Sequence, residues 1–165
     1  MSLWATMMVL GLDVFADALG RPLTEEEVEP VNWAQARFAS RMTAVDCANS
    51  LAAVAEYRRA TQRWWADGWD PLLSPTPAEP PVRIGELDPT SEDPIAGMRR
   101  AAEWVPFTPP FNTTGQPVIN VPLHRNDEGL PIGVQLVAAY GREDVLVRVA
   151  SQLEAASPWA DRRPS

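Results

Sequence analysis

The chain contains one histidine and one cysteine, so Ser–His or Cys–His chemistry would have to use His124 or Cys47. His124 follows a strand-like run, sits beside Arg125 and precedes a polar turn, which favours an exposed structural role. Cys47 lies inside a predicted helix between Asp46 and Ala48, where a lone cysteine is typically a small core residue. Neither residue therefore predicts a nucleophilic site.

The carboxylates are numerous, but they occur where capping or turn chemistry already explains them. Glu25–Glu27 and Glu92-Asp93 precede predicted helices, and Asp67 and Asp70 flank the start of a predicted strand. With one His and one Cys, a transition-metal site would need several carboxylates, and no ligand spacing supports one. The sequence has no glycine-rich phosphate loop and no G-x-S-x-G elbow. We therefore predict no metal ion, no cofactor and no self-sufficient set of catalytic residues.

One segment could shape a binding pocket. The string NTTGQP at 112–117 contains residue types that permit tight backbone geometry, and the aromatic residues Trp104, Phe107 and Phe111 precede it among three prolines. A proline-stiffened aromatic loop that leads into a strand suits a pocket wall. An ordinary loop folded onto the core explains the same residues.

Three helical regions are predicted in the first part of the chain. Apolar residues recur at helical spacing from residue 4 to 19, and Gly20 is a natural stop. Because most sides of this helix are apolar, we expect it to be covered by a larger fold. A capping box, Thr24 to Glu27, then precedes Pro30 and one long helix to about Asp67. Its predicted core stripe consists of Phe38, Met42, Val45, Ala52 and Ala55. A second capping box, Thr90 to Asp93, predicts a further helix.

Strands are predicted after Gly68. A brief buried strand lies near Leu72-Leu73, and a proline-rich surface loop follows at 75–90. Two β-branched runs at 118–123 and 132–137 flank a polar turn and predict a hairpin. Acidic Glu143 and Asp144 start a helix with Val145, Leu146, Val149 and Leu153 on one face.

Composition limits the partners and the compartment. The chain has 165 residues, of which 45% are hydrophobic and 22% charged, and its net charge of −8 argues against nucleic acid or membrane partners. The apolar run 4–12 is too short to span a membrane. A single cysteine excludes an intramolecular disulfide, and with no export signal it predicts a cytoplasmic protein.

The motifs, taken in order, resemble the amidase signature family. The strings are FTPPFNTTGQP at 107–117, VPL at 121–123 and GLPIGVQL at 129–136, with DPLLSPT upstream at 70–76. GRPLT at 20–24 and the end of the chain from Glu143 resemble segments of bacterial aryl- and alkyl-amide or cyclic-dimer hydrolases. The resemblance implies an α/β class: a partial amidase-signature fold with long helices packed on a few strands of a mixed sheet. It makes 1–165 a C-terminal portion, with a helical region at 1–67, a substrate-side region at 68–140, and a terminal helix and tail at 141–165.

The family resemblance also implies C–N bond hydrolysis by a Ser–cis-Ser–Lys triad. This chain contains no lysine and no adjacent pair of serines, so it cannot assemble that triad. We predict that the chain is inactive alone and contains no catalytic residue. Its predicted partner is the missing N-terminal part of the enzyme or another protomer. The alternative is a stand-alone, non-catalytic module that binds amides or assembles with a partner. A third interpretation is that the chain is a gene remnant kept only as a scaffold.

The resemblance further places residues against a small-molecule amide substrate. Glutamine-using relatives typically carry an aspartate seven residues before the motif asparagine, to hold the substrate's amino group; here that position is Val105, beside Trp104. An unpaired ammonium would be costly against such a surface. We therefore predict a pocket for an apolar or aromatic acyl group. The predicted pocket-side residues are Thr76, Trp104, Val105, Phe111 and Asn112.

Overall fold

The structure is a computed structural model that describes residues 2–90 and 92–161, with only the backbone of Ser2. It contains six helices and one three-stranded sheet, which confirms the α/β class. The elements are α1 (Ser2–Leu19), a 3-10 turn (Glu25–Glu27), α2 (Pro30–Ala39), α3 (Ala44–Ala66), β1 (Leu72–Pro75), α4 (Ala96–Trp104), α5 (Pro109–Thr114), β2 (Val118–Arg125), β3 (Pro131–Val137) and α6 (Glu143–Ala156).

The chain divides into two compact units. The first comprises Met1–Glu56 and Gly85–Ala101, and the second comprises Tyr57–Ile84 and Ala102–Ser165. All five predicted pocket-side residues and the whole sheet belong to the second unit. That unit is therefore the part of the molecule in which to look for a site.

The first predicted helix is confirmed as α1, which packs on α2. Gly20 ends it with φ of 67°, a left-handed conformation that costs glycine little, and its N–H donates to the Asp17 carbonyl at 3.1 Å. Among the described residues, we find no candidate for a membrane-spanning helix.

The single long helix predicted from Pro30 to Asp67 is wrong, because the chain forms two helices with a break at residues 40–43. The Ser40 hydroxyl donates to the Arg37 carbonyl at 2.9 Å. At the start of α3, the Thr43 hydroxyl donates to the Asp46 carboxylate at 2.7 Å, and the Asp46 N–H donates back to that hydroxyl at 3.2 Å. These side chains offer the backbone a new helix start in place of a continued helix.

The core stripe predicted on that helix is also wrong. Neither α2 nor α3 has a buried residue, and Phe38 and Val45 are exposed. The stripe assumes one continuous helix with 3.6 residues per turn, and the break at residues 40–43 interrupts that periodicity. The Thr24–Glu27 capping box does form, with the Thr24 N–H donating to the Glu27 carboxylate at 3.0 Å, but it caps the short 3-10 turn.

The sheet has the strand order β1-β3-β2, and both pairs are antiparallel. The predicted hairpin of β2 and β3 is confirmed, and Asn126 stabilises its turn by accepting the Leu130 N–H at 2.8 Å. The brief strand β1 is confirmed, but Leu73 is exposed rather than buried. The resemblance implied a mixed sheet; the three described strands are all antiparallel to their neighbours.

One face of this sheet forms a small apolar core with α6. Leu136, Ala138 and Leu146 are buried, and Ile119, Val149 and Leu153 pack against them. The predicted inward face of α6 is therefore confirmed. We call the sheet side that contains Ile119, Val121, Val134 and Leu136 the apolar face.

Other elements match their predictions in part. Between β1 and α4 the described residues form turns and bends without a helix or strand, as the proline content predicts. Helix α4 begins at Ala96, and the Asp93 N–H before it donates to the Thr90 hydroxyl at 3.0 Å. The Asp93 carboxylate accepts the Ile95 N–H at 3.2 Å rather than reaching back to Thr90.

Candidate functional site

The opposite side of the sheet, which we call the polar face, carries a row of hydrogen-bonding side chains. Gln135 in the middle strand is the register partner of Ser74 on one side and Asn120 on the other. Residues directly opposite each other in adjacent strands point to the same face. Three polar side chains are thus aligned across the sheet, at positions where an apolar sheet core would carry Val or Ile.

Gly133 makes room for this polar cluster. A Cβ at this position would lie 2.6 Å from Asn120 Oδ1 and 2.9 Å from Thr76 Oγ1. The Thr76 hydroxyl donates a hydrogen bond to Asn120 Oδ1, and the Thr76 N–H donates to the Gly133 carbonyl at 3.1 Å. The missing side chain lets Thr76 and Asn120 meet over the backbone of β3.

Gln135 joins the sheet to the segment that precedes α5. Its side chain is 2% exposed, and its Nε2 donates to Ser74 Oγ at 3.1 Å and to the Phe107 carbonyl at 3.2 Å. Buried amide donors are normally paired, because an unpaired one costs free energy, so both bonds stabilise this fold. Through Phe107, Gln135 fixes the approach to α5.

Trp104, at the end of α4, ties the proline-rich loop to the same region. Its indole N–H donates to the carbonyls of Glu79 and Pro80, each at 3.2 Å, and its own carbonyl accepts the Ala78 N–H at 2.7 Å. Ala78 is two residues after Thr76. These bonds bring two of the predicted pocket-side residues, Thr76 and Trp104, into one hydrogen-bonded region.

Part of the predicted proline-stiffened aromatic loop, residues 109–114, is instead the short helix α5, so the loop prediction is corrected there. Pro109 occupies its first turn, where a missing N–H costs nothing, and Gly115 ends it with φ of 79°. Phe111 is buried in this helix, and Asn112 is exposed. Val105 is half-buried just after α4.

Phe111 and Asn112 are not bonded to the rest of the predicted set. In the part of the chain that the structure describes, no side-chain hydrogen bond connects Asn112 to Thr76 or Trp104, and the side chains of Val105 and Phe111 have no hydrogen-bonding group. The structure thus brings together two of the five predicted residues and places the other three on the neighbouring segment 105–112.

A second polar cluster holds the residues after α5. The Tyr140 hydroxyl donates to the Thr114 carbonyl, and the Thr114 hydroxyl donates to Gln116 Oε1. Arg58 donates from Nε to the Tyr140 hydroxyl at 3.2 Å, and its guanidinium carbon lies 5.8 Å from the ring centroid. Gln116 is buried, and its Nε2 finds no partner among the described residues. This cluster fixes where β2 begins.

Three carboxyls at helix or turn starts have a lowered pKa because an arginine hydrogen-bonds them: Glu27, whose pKa is about 2 beside Arg21, Asp93 beside Arg99, and Asp144 beside Arg142. His124 is exposed, as predicted, and Cys47 is half-buried in α3. Among the described residues, no group of three His, Cys, Asp or Glu side chains is arranged to hold a metal ion.

A cleft of about 740 Å³ lies in the first unit beside α1 and α2. Apolar Val9, Leu12 and Trp33 line it together with Asp13 and Asp17. It contains none of the five predicted pocket-side residues.

Three residues of the polar face, Asn120, Gly133 and Gln135, were not among the predicted site residues. A signal for two of them was present in the sequence. A glycine inside a strand indicates close approach of another group, and a glutamine inside a β-branched run indicates a buried hydrogen bond. Asn120 had no such signal, because its meeting with Thr76 depends on strand register.

Comparison with known proteins identifies relatives along most of the chain. The family model described as Amidase matches residues 4–147. The 6-aminohexanoate-cyclic-dimer hydrolase of Paenarthrobacter ureafaciens is 42% identical over 153 residues, which are 90% of this chain and 31% of that protein.

Solved structures give the same result. A structure of 6-aminohexanoate cyclic dimer hydrolase matches with a TM-score of 0.91 at 38% identity, over 98% of this chain and 34% of that one. Another, described as complexed with substrate, matches with a TM-score of 0.89 at 39% identity, over 96% of this chain and 34% of that one. The chain therefore spans about a third of the length of the relatives that it matches.

Proposed function

This chain belongs to the amidase family, and on that premise we propose that it is the C-terminal part of an enzyme that hydrolyses C–N amide bonds. In this proposal it contributes a wall of the substrate pocket and the sheet that supports it. The Ser–cis-Ser–Lys triad comes from a part of the fold outside these residues. One observation carries the proposal: the family match extends over 4–147, yet the chain contains no lysine.

The polar face and the adjoining segment supply the proposed pocket wall. Thr76 and Trp104 are fixed by hydrogen bonds to the sheet and to the proline-rich loop. Val105, Phe111 and Asn112 lie on the segment that Gln135 holds through the Phe107 carbonyl. Residues that are already held by the fold lose little conformational freedom when a substrate binds, which favours affinity.

We propose that the substrate is a small amide with an apolar or aromatic acyl group. The relative with 42% identity is named for a cyclic dimer of 6-aminohexanoate, whose methylene chains are apolar. Glutamine-using enzymes that this chain resembles typically carry an aspartate seven residues before the motif asparagine. This chain has Val105 at that position. A valine offers no partner to a substrate ammonium group, and burying that charge unpaired is costly.

The assembly proposal is tested with a chimera. Its sequence is that of the Paenarthrobacter enzyme with the matching last third replaced by this chain, and the intact relative is the positive control. We expect the purified 165-residue chain to show no amide hydrolysis and the chimera to hydrolyse the cyclic dimer. A chimera that melts cooperatively but lacks activity contradicts the proposed role, and hydrolysis by the chain alone contradicts its dependence on an external triad.

The specificity proposal is tested in the same chimera by Val105→Asp, with the isosteric Val105→Asn as its uncharged control. We expect the aspartate, and not the asparagine, to raise kcat/KM for glutamine relative to an apolar amide by about 10-fold or more, because it pairs with the substrate ammonium. An unmodified chimera that already prefers glutamine would refute the apolar pocket.

The stand-alone binding module is the competing function, and the same experiments separate it. A module predicts that the purified chain binds amides without a partner, measurable by titration calorimetry. A cytoplasmic location remains part of our proposal, on the basis of the single cysteine.

A further inference from the structure

Helix α1 has two unlike sides. The side that includes Ala5, Val9, Leu12 and Ala16 is buried or half-buried, and α1 packs on α2. The other side carries larger apolar side chains, each 53–68% exposed: Trp4, Met7, Leu10, Val14, Phe15 and Leu19. We call these six residues the apolar α1 face. The helix thus presents most of its large apolar side chains, Trp4 and Phe15 among them, to solvent.

The apolar α1 face contains no charged residue along the described length of the helix. On the 3.6-residue period its members, with Gly11 and Ala18, cover about half of the helix circumference. Asp13 and Asp17 lie beyond one edge of this face, on the Leu10 side, and are the only charged residues of the described part of α1. A contiguous apolar patch with a charged border is typical of a surface that another protein element covers.

We propose that the apolar α1 face is the docking surface for the part of an amidase fold that carries the triad; this rests on the proposed function. A solved relative superposes on 98% of this chain with a TM-score of 0.91, and this chain accounts for 34% of that relative. The remaining two thirds of that relative's fold, which this chain lacks, could therefore pack against the apolar α1 face.

A second copy of this chain fits the surface less well. Each copy has a net charge of −8, so a pair would carry −16. Two α1 faces in contact would also bring both pairs of border carboxylates, Asp13 and Asp17, to one interface. Like charges at an interface border repel and disfavour association.

The test is co-expression of this chain, tagged, with the first two thirds of the Paenarthrobacter enzyme, untagged. We expect the two to co-purify. The double substitution Met7→Glu and Val14→Glu should weaken the complex by about 100-fold or more, because docking would bury two unpaired charges. Glutamate is a good helix former, so α1 should persist, which circular dichroism checks. The control, Asp13→Asn with Asp17→Asn, changes the border of the same helix and should leave co-purification intact.

The outcomes separate docking from function. Co-purification that survives the double glutamate substitution overturns the docking surface. So does a stable dimer of the purified chain, seen by light scattering, that the same substitution dissociates, because α1 would then bind a second copy. A complex that forms and is lost on substitution, but does not hydrolyse the cyclic dimer, leaves docking standing and contradicts the proposed function. If the partner is insoluble alone, the double substitutions are compared in the chimera, where only the glutamates should lower the melting temperature.

Discussion

The two faces of the three-stranded sheet are built on different principles, although the same three strands form both. The apolar face buries Leu136 against Ala138 and Leu146, so its stability comes from non-directional burial. The polar face buries Gln135, which pairs with Ser74 and the Phe107 carbonyl, beside the fully buried Val137, so its stability depends on directed bonds as well as on burial.

This difference shows which face can adapt. A packed apolar face accepts volume-conserving changes at small cost, since no atom needs a particular partner. The polar face has a notch at Gly133 filled by two polar side chains, so a substitution that removes the donor or the acceptor there leaves its partner unpaired. We therefore assign scaffolding to the apolar face and the proposed pocket support to the polar face.

The largest effect should come from Leu136→Ala. Leu136 is 3% exposed, and its truncation should lower the free energy of unfolding by about 3 kcal/mol through lost burial and a residual cavity. The control is Leu73→Ala, because Leu73 is the register partner of Leu136 in β1 but is 62% exposed. Urea denaturation measures both. Equal losses at the two positions would show that the apolar face lacks a real core.

Gln135→Met should come next, with a loss of about 2 kcal/mol despite similar side-chain volume. The substitution leaves Ser74 Oγ and the Phe107 carbonyl without their donor. Amide hydrogen exchange should accelerate in residues 108–114, since Gln135 holds the approach to α5. Gln152→Met, at an exposed position of α6, is the control and should change stability by less than about 0.5 kcal/mol. If Gln135→Met leaves the free energy of unfolding unchanged, the polar face tolerates substitution as well as the apolar face does.

Gly133→Ala should cost about 1.5 kcal/mol, because the new methyl group meets Asn120 at 2.6 Å and forces its side chain away from Thr76. The cause is steric, since the Gly133 backbone lies outside the left-handed region. A double-mutant cycle with Asn120→Ala measures this directly. The alanine at 133 should cost less once Asn120 is truncated, and the cost that remains comes from the Thr76 hydroxyl, which lies 2.9 Å from the new methyl group. Additive losses would exclude the steric explanation.

Thr76→Val should have the smallest effect, a loss of about 0.5 kcal/mol, because it removes one hydrogen bond to an exposed asparagine while keeping the side-chain shape. Thr76→Ser retains the hydroxyl and serves as the control. In the chimera we expect Thr76→Val to raise KM while kcat is unchanged, since the proposed role is to support the pocket wall. A fall in kcat at unchanged KM would assign Thr76 to the chemical step.

Elements with a strong local signal were predicted well. The periodicity of α1 and α6, the hairpin of β2 and β3, and the proline-rich loop are all present. The prediction failed at residues 40–43, where Thr43 and Asp46 form a capping box that was not recognised among strong helix formers. It failed at α5 because two prolines were interpreted as loop residues, although a helix accepts proline in its first turn.

The candidate site was predicted only in part, for a physical reason. Thr76 and Trp104 were found from motif resemblance, and the structure joins them through the Ala78 segment. Asn120 and Gln135 were missed because their partners are 44 and 28 residues away, at Thr76 and Phe107. Such pairings are set by strand register and by the path of the chain between strands.

By itself the sequence determined the family, the absence of the triad and the position of most helices and strands, since these follow from residue identity and local periodicity. The tertiary structure alone decided which side of the sheet buries Gln135 and why position 133 has to be glycine. It also showed that most of the large apolar side chains of α1 are exposed to solvent. Each of these depends on which atoms from distant parts of the chain meet, and register and packing fix that.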